Sequence, residues 1–432
     1  MSDEGIFMTV AEDPRGPWSE PVNIRKETGW IDPCPFWDED GRAYLVAGVA
    51  KSRIGYNSVL YISEMRPDGM GLIGEPVMIF DGKQCGQRII EGPKLYKKDG
   101  WYYIFAPAGG VKTGWQTALR SKNIWGPYEY RVVMCQGQSP VNGPHQGAWV
   151  DTVTGEDWFL HFQDVYGAGR IVHLQPMHFE QDWPVIGVKR DGQDYGEPVM
   201  EYRKPDVGDV MWTVCQPPAS DDFAGKELGL QWQWNANYKK DWYRLTGDRL
   251  LLRAVRKDSA YGDIPNLLLQ KWPAPEFTCV TSLDLSALTD GDETGVVSMG
   301  VEYGVVSFLK VGESLQIRFI RGSQRYGKIL VEETAEQVEK LEEIPADCGK
   351  QITVYYIVKR DGVQDLNQVE KGFPKELVTF SYGIGDEETR LAGQMTAVPG
   401  RWVGVKHGVF CVSDHENSSG EAAVKSVQYH FF

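Results

Sequence analysis

Paired cysteines are missing from this 432-residue chain. Its seven Cys, at positions 34, 85, 135, 215, 279, 348 and 411, are odd in number, lie far apart and form no CxxC pair, which argues against both a zinc site and a disulfide framework. Positive charge is also scarce, since 45 Lys and Arg stand against 60 Asp and Glu for a formal net charge of -15. Phosphate binding by counterion release needs clustered cations, so no nucleic-acid partner is expected and a neutral substrate fits better. No apolar run approaches the roughly 20 residues of a membrane span, and no signal peptide opens the chain, so no membrane partner is expected. The run Gly5-Ile6-Phe7-Met8-Thr9-Val10 reads as a strand already under way. Upstream residues are therefore expected to be missing, and cellular location, cytoplasmic or exported, stays open.

What is abundant is aromatic and turn-forming. The 15 Trp, 20 Tyr and 16 Phe stand beside 48 Gly and 24 Pro, the composition of many short strands joined by tight turns. An all-β fold is expected, with two domains by length. Aromatic excess in an acidic chain suits sugar stacking, although most rings in any globular chain are core.

Three segments share one order: a polar opening, an apolar strand, a turn, and an aromatic-rich strand. The first is Asp32-Pro33-Cys34-Pro35-Phe36-Trp37, turn Asp40-Gly41, then Ala43 to Val46. The second is Glu91-Gly92-Pro93-Lys94-Leu95-Tyr96, turn Asp99-Gly100, then Trp101 to Phe105. The third puts His in place of the acid: His145-Gln146-Gly147-Ala148-Trp149-Val150, turn Gly155-Glu156, then Trp158 to Phe162. Openings 59 and 54 residues apart match the spacing of sheet blades with some loop insertion. A second echo links Asp13-Pro14-Arg15-Gly16-Pro17-Trp18 with Asn123-Ile124-Trp125-Gly126-Pro127-Tyr128. Such units bury their faces only against neighbours, so a ring of blades is the natural closure.

In a ring, the innermost strand of each blade begins near the axis. Asp32, Glu91 and His145 hold that place in three successive units, so they are expected to converge. Convergent carboxylates in an aromatic-walled pocket are the material of glycoside hydrolysis. The plainer reading, that Asp-Pro and Glu-Gly-Pro only start turns, explains less once the pattern repeats. Trp37, Trp115 and Tyr166 sit near openings and could line a sugar subsite, with inter-blade packing the alternative. Arg88, just before Glu91, is a candidate for hydrogen bonds to substrate hydroxyls. Acidic Asp290-Gly291-Asp292-Glu293 lacks the ligand spacing of a calcium loop.

These residues resemble glycoside hydrolase family 43, whose five-bladed propellers cleave β-xylosides and α-L-arabinofuranosides with inversion. Ile31-Asp32-Pro33 followed by Trp37 to Leu45 resembles the segment whose Asp orients the acid and tunes its pKa. Ile90-Glu91-Gly92-Pro93-Lys94-Leu95-Tyr96 resembles the general-acid segment, with Lys94 where many members have His. By the same resemblance His145 matches the channel histidine that holds a calcium ion or water, and Arg170 matches an arginine that contacts substrate. No other cofactor is implied. From Ser220-Asp221-Asp222-Phe223 onward the chain is similar to the concanavalin-like jelly-roll domain appended to such enzymes. Leu250 to Val255, Phe277 to Leu285, Gly295 to Tyr303 and Gln351 to Tyr356 read as its strands. The expected organisation is a propeller at 1–207, a linker at 208–219 and a β-sandwich at 220–432.

The family's general base is an Asp in the first blade, and nothing upstream of Asp32 resembles its segment. Asp3 and Asp13 are the only Asp available there. The expectation is a propeller lacking blade one and part of blade two, in which Glu91 is the acid, Asp32 raises its pKa by like-charge repulsion, and the base is absent. The implied partners are xylo- or arabino-oligosaccharides, the choice between pentoses being open. An unclosed ring exposes strand edges that a second copy could cover. The alternative is a carbohydrate-binding protein without activity.

Overall fold

The structure is a computed structural model describing residues 2–211, 216–324, 336–361, 375–400 and 402–432. Positions 212–215 of the expected linker lie outside them. The chain forms two compact units, one of residues 2–164 with Ile171–Met211, the other of Val165–Arg170 with the described residues from 216 onward.

The first unit opens with a hairpin of β1 (Ile6–Met8) and β2 (Val22–Arg25). An antiparallel four-stranded sheet follows, of β3 (Trp30–Trp37), β4 (Ala43–Val49), β5 (Val59–Met65) and β6 (Leu72–Asp81). A second sheet holds β7 (Lys94–Lys98), β8 (Trp101–Ala108), β9 (Trp115–Ser121) and β10 (Glu129–Met134). The third holds β11 (His145–Asp151), β12 (Asp157–Val165), β13 (Gly169–Glu180) and β14 (Trp183–Ile186). Short strands β15 (Val188–Lys189) and β16 (Gly196–Glu197) return to extend the second sheet beyond β10. Within each sheet successive strands pair in chain order, the arrangement of propeller blades.

Every residue of β4 is buried, because both faces of a blade meet a neighbour. Tyr44, Val46, Leu60 and Ile62 of the first sheet share one cluster with Leu95, Ile104, Ala106 and Leu119 of the second. Tyr103, Phe105 and Ala118 of the second share another with Phe159, Met177 and Trp183 of the third. Ile6 of the first hairpin packs with Trp30, Leu45 and Val59. The echo at Asp13 and Asn123 falls in the connections β1–β2 and β9–β10.

Polar contacts join the first two blades at both ends. Where β3 leaves the sheet, Asp38 is buried, accepts from Lys97 Nζ at 2.6 Å and from Tyr102 Oη, and its side chain is only 3% exposed. Burial pushes this carboxyl up, but hydrogen bonds from Lys97 and Tyr102 outweigh it and hold the group below its usual range.

The second unit is a sandwich of one eight-stranded and one seven-stranded sheet. Phe277–Asp284 alternates buried and half-buried residues, as a strand with one face on the core should. Asp292–Met299 is buried throughout, because the eight-stranded sheet carries a second apolar cluster, with Tyr261, Val297, Tyr303 and Phe410, besides the core between the sheets. The strand expected at Gly295 to Tyr303 is instead the end of Asp292–Met299 and the start of Glu302–Val311, antiparallel neighbours with Met299 opposite Tyr303. Gly300 makes the reversal, since a Cβ there would lie 2.0 Å from the Val398 carbonyl oxygen. In the acidic run, Asp292 accepts from Thr289 N, Asp290 accepts from Gly312 N and Glu293 pairs with Arg318. The other oxygen of Asp292, Oδ1, is buried without a hydrogen-bond partner among the described residues.

Breaking a buried ion pair by deleting one partner strands the other. Asp38→Ala should lower stability by about 3 kcal/mol, read as a lower thermal unfolding temperature. A loss under about 1 kcal/mol would assign the joint between β3 and β7 to apolar packing alone.

Candidate active site

Each inner strand of the three blades starts irregularly. In β3, Ile31 faces Gly48 and Cys34 faces Val46, so Asp32 and Pro33 bulge opposite a single residue. Pro33 has no N–H for the ladder, and Asp32 takes φ 52°. In β11, His145 faces Phe162 and Ala148 faces Leu160, again two residues against one, with Gln146 at φ 43°. Ahead of β7, Glu91 N donates to the Pro107 carbonyl at 3.1 Å and Gly92 takes φ 59°. Bulges of this kind re-aim side chains beside functional sites.

The three openings meet. Gly92 N donates to Asp32 Oδ2 at 3.0 Å, joining residues 60 apart in the chain. His145 Nε2 lies 3.3 Å from Glu91 Oε1, the His ring wholly buried and the Glu side chain 28% exposed. His145 Nδ1 is buried without a hydrogen-bond partner among the described residues. A cavity of about 350 Å³ runs beside Asp32, walled by Gly5, Ile6, Phe7, Trp30 and Ile31. Burial pushes the Asp32 carboxyl up and the charge of Glu91 adds to it, while the Gly92 amide, Lys94 and His145 oppose. The resemblance implies an influence of Asp32 on Glu91; the structure shows the charge of Glu91 acting on Asp32.

The other expected site residues separate. Trp115 opens β9, and its Nε1 donates to Gln87 Oε1 at 2.8 Å. Gly109 packs against its ring, where a Cβ would lie 2.7 Å from Cζ3. Arg88 is exposed, its carbonyl accepting from Gly109 N at 2.8 Å, so the segments that carry Arg88 and Trp115 are linked to one another. Trp37 does not join the cluster. It ends β3, five residues and about 16 Å along the strand from Asp32 at roughly 3.3 Å per residue, and its Nε1 donates to the Pro67 carbonyl. Tyr166 and Arg170 lie in the Val165–Arg170 segment of the second unit. Sequence reading missed Gln87, which also accepts from Thr117 Oγ1 at 2.6 Å, and Gln146, whose side chain packs on Gly92. The only signal for either was adjacency to a site residue.

Calcium takes six to eight oxygen ligands. Around His145 the residues present offer a ring nitrogen and the Glu91 carboxylate. Among the described residues no group of three or more His, Cys, Asp or Glu could hold a metal. These side chains supply fewer ligands than calcium takes, and no step below passes through a metal.

Residues 1–184 match the model of glycosyl hydrolases family 43, and residues 220–430 match the beta-xylosidase C-terminal concanavalin A-like domain. A putative beta-xylosidase of Xylanibacter ruminicola is 37% identical over 412 residues, covering 94% of this chain and 69% of that protein. A beta-xylosidase of Formosa agariphila is 33% identical over 56% of this chain and 44% of its own length. The solved xylan beta-1,4-xylosidase of Bacillus halodurans superposes with a TM-score of 0.77 at 20% identity, over 98% of this chain and 80% of that one.

With the charge at Glu91 removed by Glu91→Gln, the Asp32 carboxyl should titrate at lower pH than in the unaltered chain, as followed by carboxyl carbon NMR. An unmoved titration would mean that the two groups do not sense one another.

Proposed function

The chain belongs to glycosyl hydrolase family 43, and on that premise we propose that it releases pentose from the ends of plant hemicellulose chains, acting on β-xylosides, α-L-arabinofuranosides or both with inversion. One observation carries the reading: the openings that hold Asp32, Glu91 and His145, from three separate blades, are joined by hydrogen bonds, and a cavity opens beside Asp32. The names of the relatives, which are xylosidases, support the substrate class.

Glu91 is the general acid in this reading. It is the most exposed of the pair it forms with His145, so a glycosidic oxygen can approach it, while the imidazole holds its carboxyl in one orientation. Its proton goes to the departing oxygen as the bond to the anomeric carbon breaks. Asp32, fixed by the Gly92 amide, is the modulator: its charge state alters the field at the acid without touching the reacting atoms. Arg88 and Trp115 are assigned to substrate, and Arg170 by family pattern. The catalytic work is assigned to residues 1–207 and the sandwich to 220–432.

Inversion also needs a carboxylate about 6.5–9.5 Å from the acid to activate water. Asp3 is engaged by Arg53, and Asp13 accepts from Arg15 at 2.8 Å. Neither of these two aspartates is therefore assigned as the base, and the second reading is a protein that binds the sugar without cutting it.

Incubation with nitrophenyl β-xyloside and nitrophenyl α-L-arabinofuranoside separates the readings. Hydrolysis of either, reduced roughly 100- to 10,000-fold by Glu91→Gln, is the outcome expected of the enzyme. Xylobiose or arabinobiose binding with no pentose released would move the assignment to the binder, and full activity in Glu91→Gln would remove Glu91 from its role.

A further inference from the structure

A second cavity, of about 710 Å³, lies within the first unit, beside the turn between β11 and β12. Asp151, the last residue of β11 before that turn, is six residues and about 20 Å along the strand from His145 at roughly 3.3 Å per residue. The cavity is thus separate from the one beside Asp32. One wall is the turn and the start of β12, a second is the end of β13, and a third is Tyr202 with Arg203.

Three rings line it, and only one is largely open. Trp158 is 3% exposed and Phe179 is half-buried, whereas Tyr202 is 52% exposed. Tyr202 stands edge-on to Trp158, with ring centroids 5.9 Å apart at 76°. Glu156 fixes the segment that carries it, pairing with Arg203 Nη2 at 2.7 Å and accepting from Asp206 N at 2.9 Å and from Trp158 Nε1 at 3.1 Å. The open ring is held before any ligand arrives, which lowers the ordering cost of stacking on it.

The charges around the cavity cancel. Lys98 lies 3.6 Å from Asp157, Lys189 2.9 Å from Glu180 and Arg203 2.7 Å from Glu156, three cations against three carboxylates. Such a lining offers little net field to an ionic ligand. It does set hydrogen-bond donors and acceptors side by side around a ring. A neutral polyhydroxyl chain matches that lining, because each hydroxyl both donates and accepts and the C–H face of a sugar lies on an aromatic ring. The volume falls within the roughly 300–1,000 Å³ of small-ligand sites.

We propose that this cavity is a second carbohydrate site, which holds a stretch of neutral pentose polymer while the site at Glu91 works on a chain end. The inference rests on the hydrolase reading for the identity of the polymer and for nothing else. Two sites on one molecule raise the effective concentration of polymer at each, so the second keeps the protein on its substrate between turnovers.

Depletion of the full chain from solution by insoluble xylan and by insoluble arabinan tests this, the two polymers separating a xylose chain from an arabinose chain as the ligand. The unaltered chain should bind at least one of them, and Tyr202→Phe should bind it equally because the ring is kept. Tyr202→Ala should bind it roughly five- to tenfold more weakly, the scale of one aromatic contact. Tyr202→Leu, apolar but without a ring, carries this arm if Tyr202→Ala does not fold. An unaltered chain that binds neither polymer overturns the second site. Tyr202→Ala that binds as the unaltered chain does also overturns it, and leaves the hydrolase reading intact. A chain that hydrolyses neither nitrophenyl glycoside yet binds a polymer through Tyr202 removes the hydrolase reading and leaves this site standing.

Discussion

The hydrogen bond from the Gly92 amide to the Asp32 carboxylate is the contact on which the site depends. It joins the openings of two blades directly, and one partner is the residue next to Glu91. The donor is a backbone group, so its direction follows from the path of the chain. That path in turn requires Gly92 at φ 59°, packed on the side chain of Gln146 from the third blade. Three blades therefore constrain one another through a few atoms. Placing two carboxylates within mutual influence is unfavourable by repulsion and burial, and the shared amide offsets part of that by bonding one of them in its charged form.

The two ends of the β3–β7 pair respond to pH in opposite senses. The carboxyl of Asp32 is raised, so the folded chain holds that proton more firmly than the unfolded chain does. Stability from this group is greatest at low pH and falls as pH climbs from the ordinary carboxylate value through the raised one. At the other end Asp38 is lowered by Lys97 and Tyr102, and its contribution is present above the ordinary value and lost as pH falls through the lowered one. Near neutrality the structural end contributes in full and the site end opposes it. The strain of the site thus sits in the same strand pair as the ion pair that holds the strands together.

Much of this was legible in the sequence because the repeat is periodic. Polar openings recurring at positions 32, 91 and 145 place side chains at one level of successive blades, and a propeller turns equal level into proximity. Asp-Gly and Gly-Glu turns marked the hairpins for the same local reason, as Gly41, Gly100 and Gly155 all take positive φ. Trp37 was grouped with Asp32 by closeness in sequence, and the structure sets the two apart. A strand carries residues away from one another along its length, and the far end of β3 belongs to the opposite rim of the blade. The expected strand through Gly300 failed because apolar continuity hides a reversal whose cause, the approach of Val398, lies almost a hundred residues downstream.

Glu376, whose side chain is 1% exposed and accepts from the Gly167 amide at 2.8 Å, was invisible for a more general reason. In sequence it stands in Lys375-Glu376-Leu377-Val378, an ordinary strand in which a glutamate reads as a solvent-facing residue. Nothing local marks it as buried, and its partner is a backbone amide, which leaves no trace in residue type. The one sign is Gly167 itself, at which a side chain would collide with the carboxylate. Gly167-Ala168-Gly169 has the composition of an ordinary turn, yet other groups, Glu376 and Gly404, occupy the space a Cβ at 167 or 169 would need. Glycine in this turn allows a tight fit rather than motion, and the arginine that follows it is held by its backbone to Lys271. Contacts from residues more than a hundred positions away therefore define a turn whose own sequence gives little sign of them.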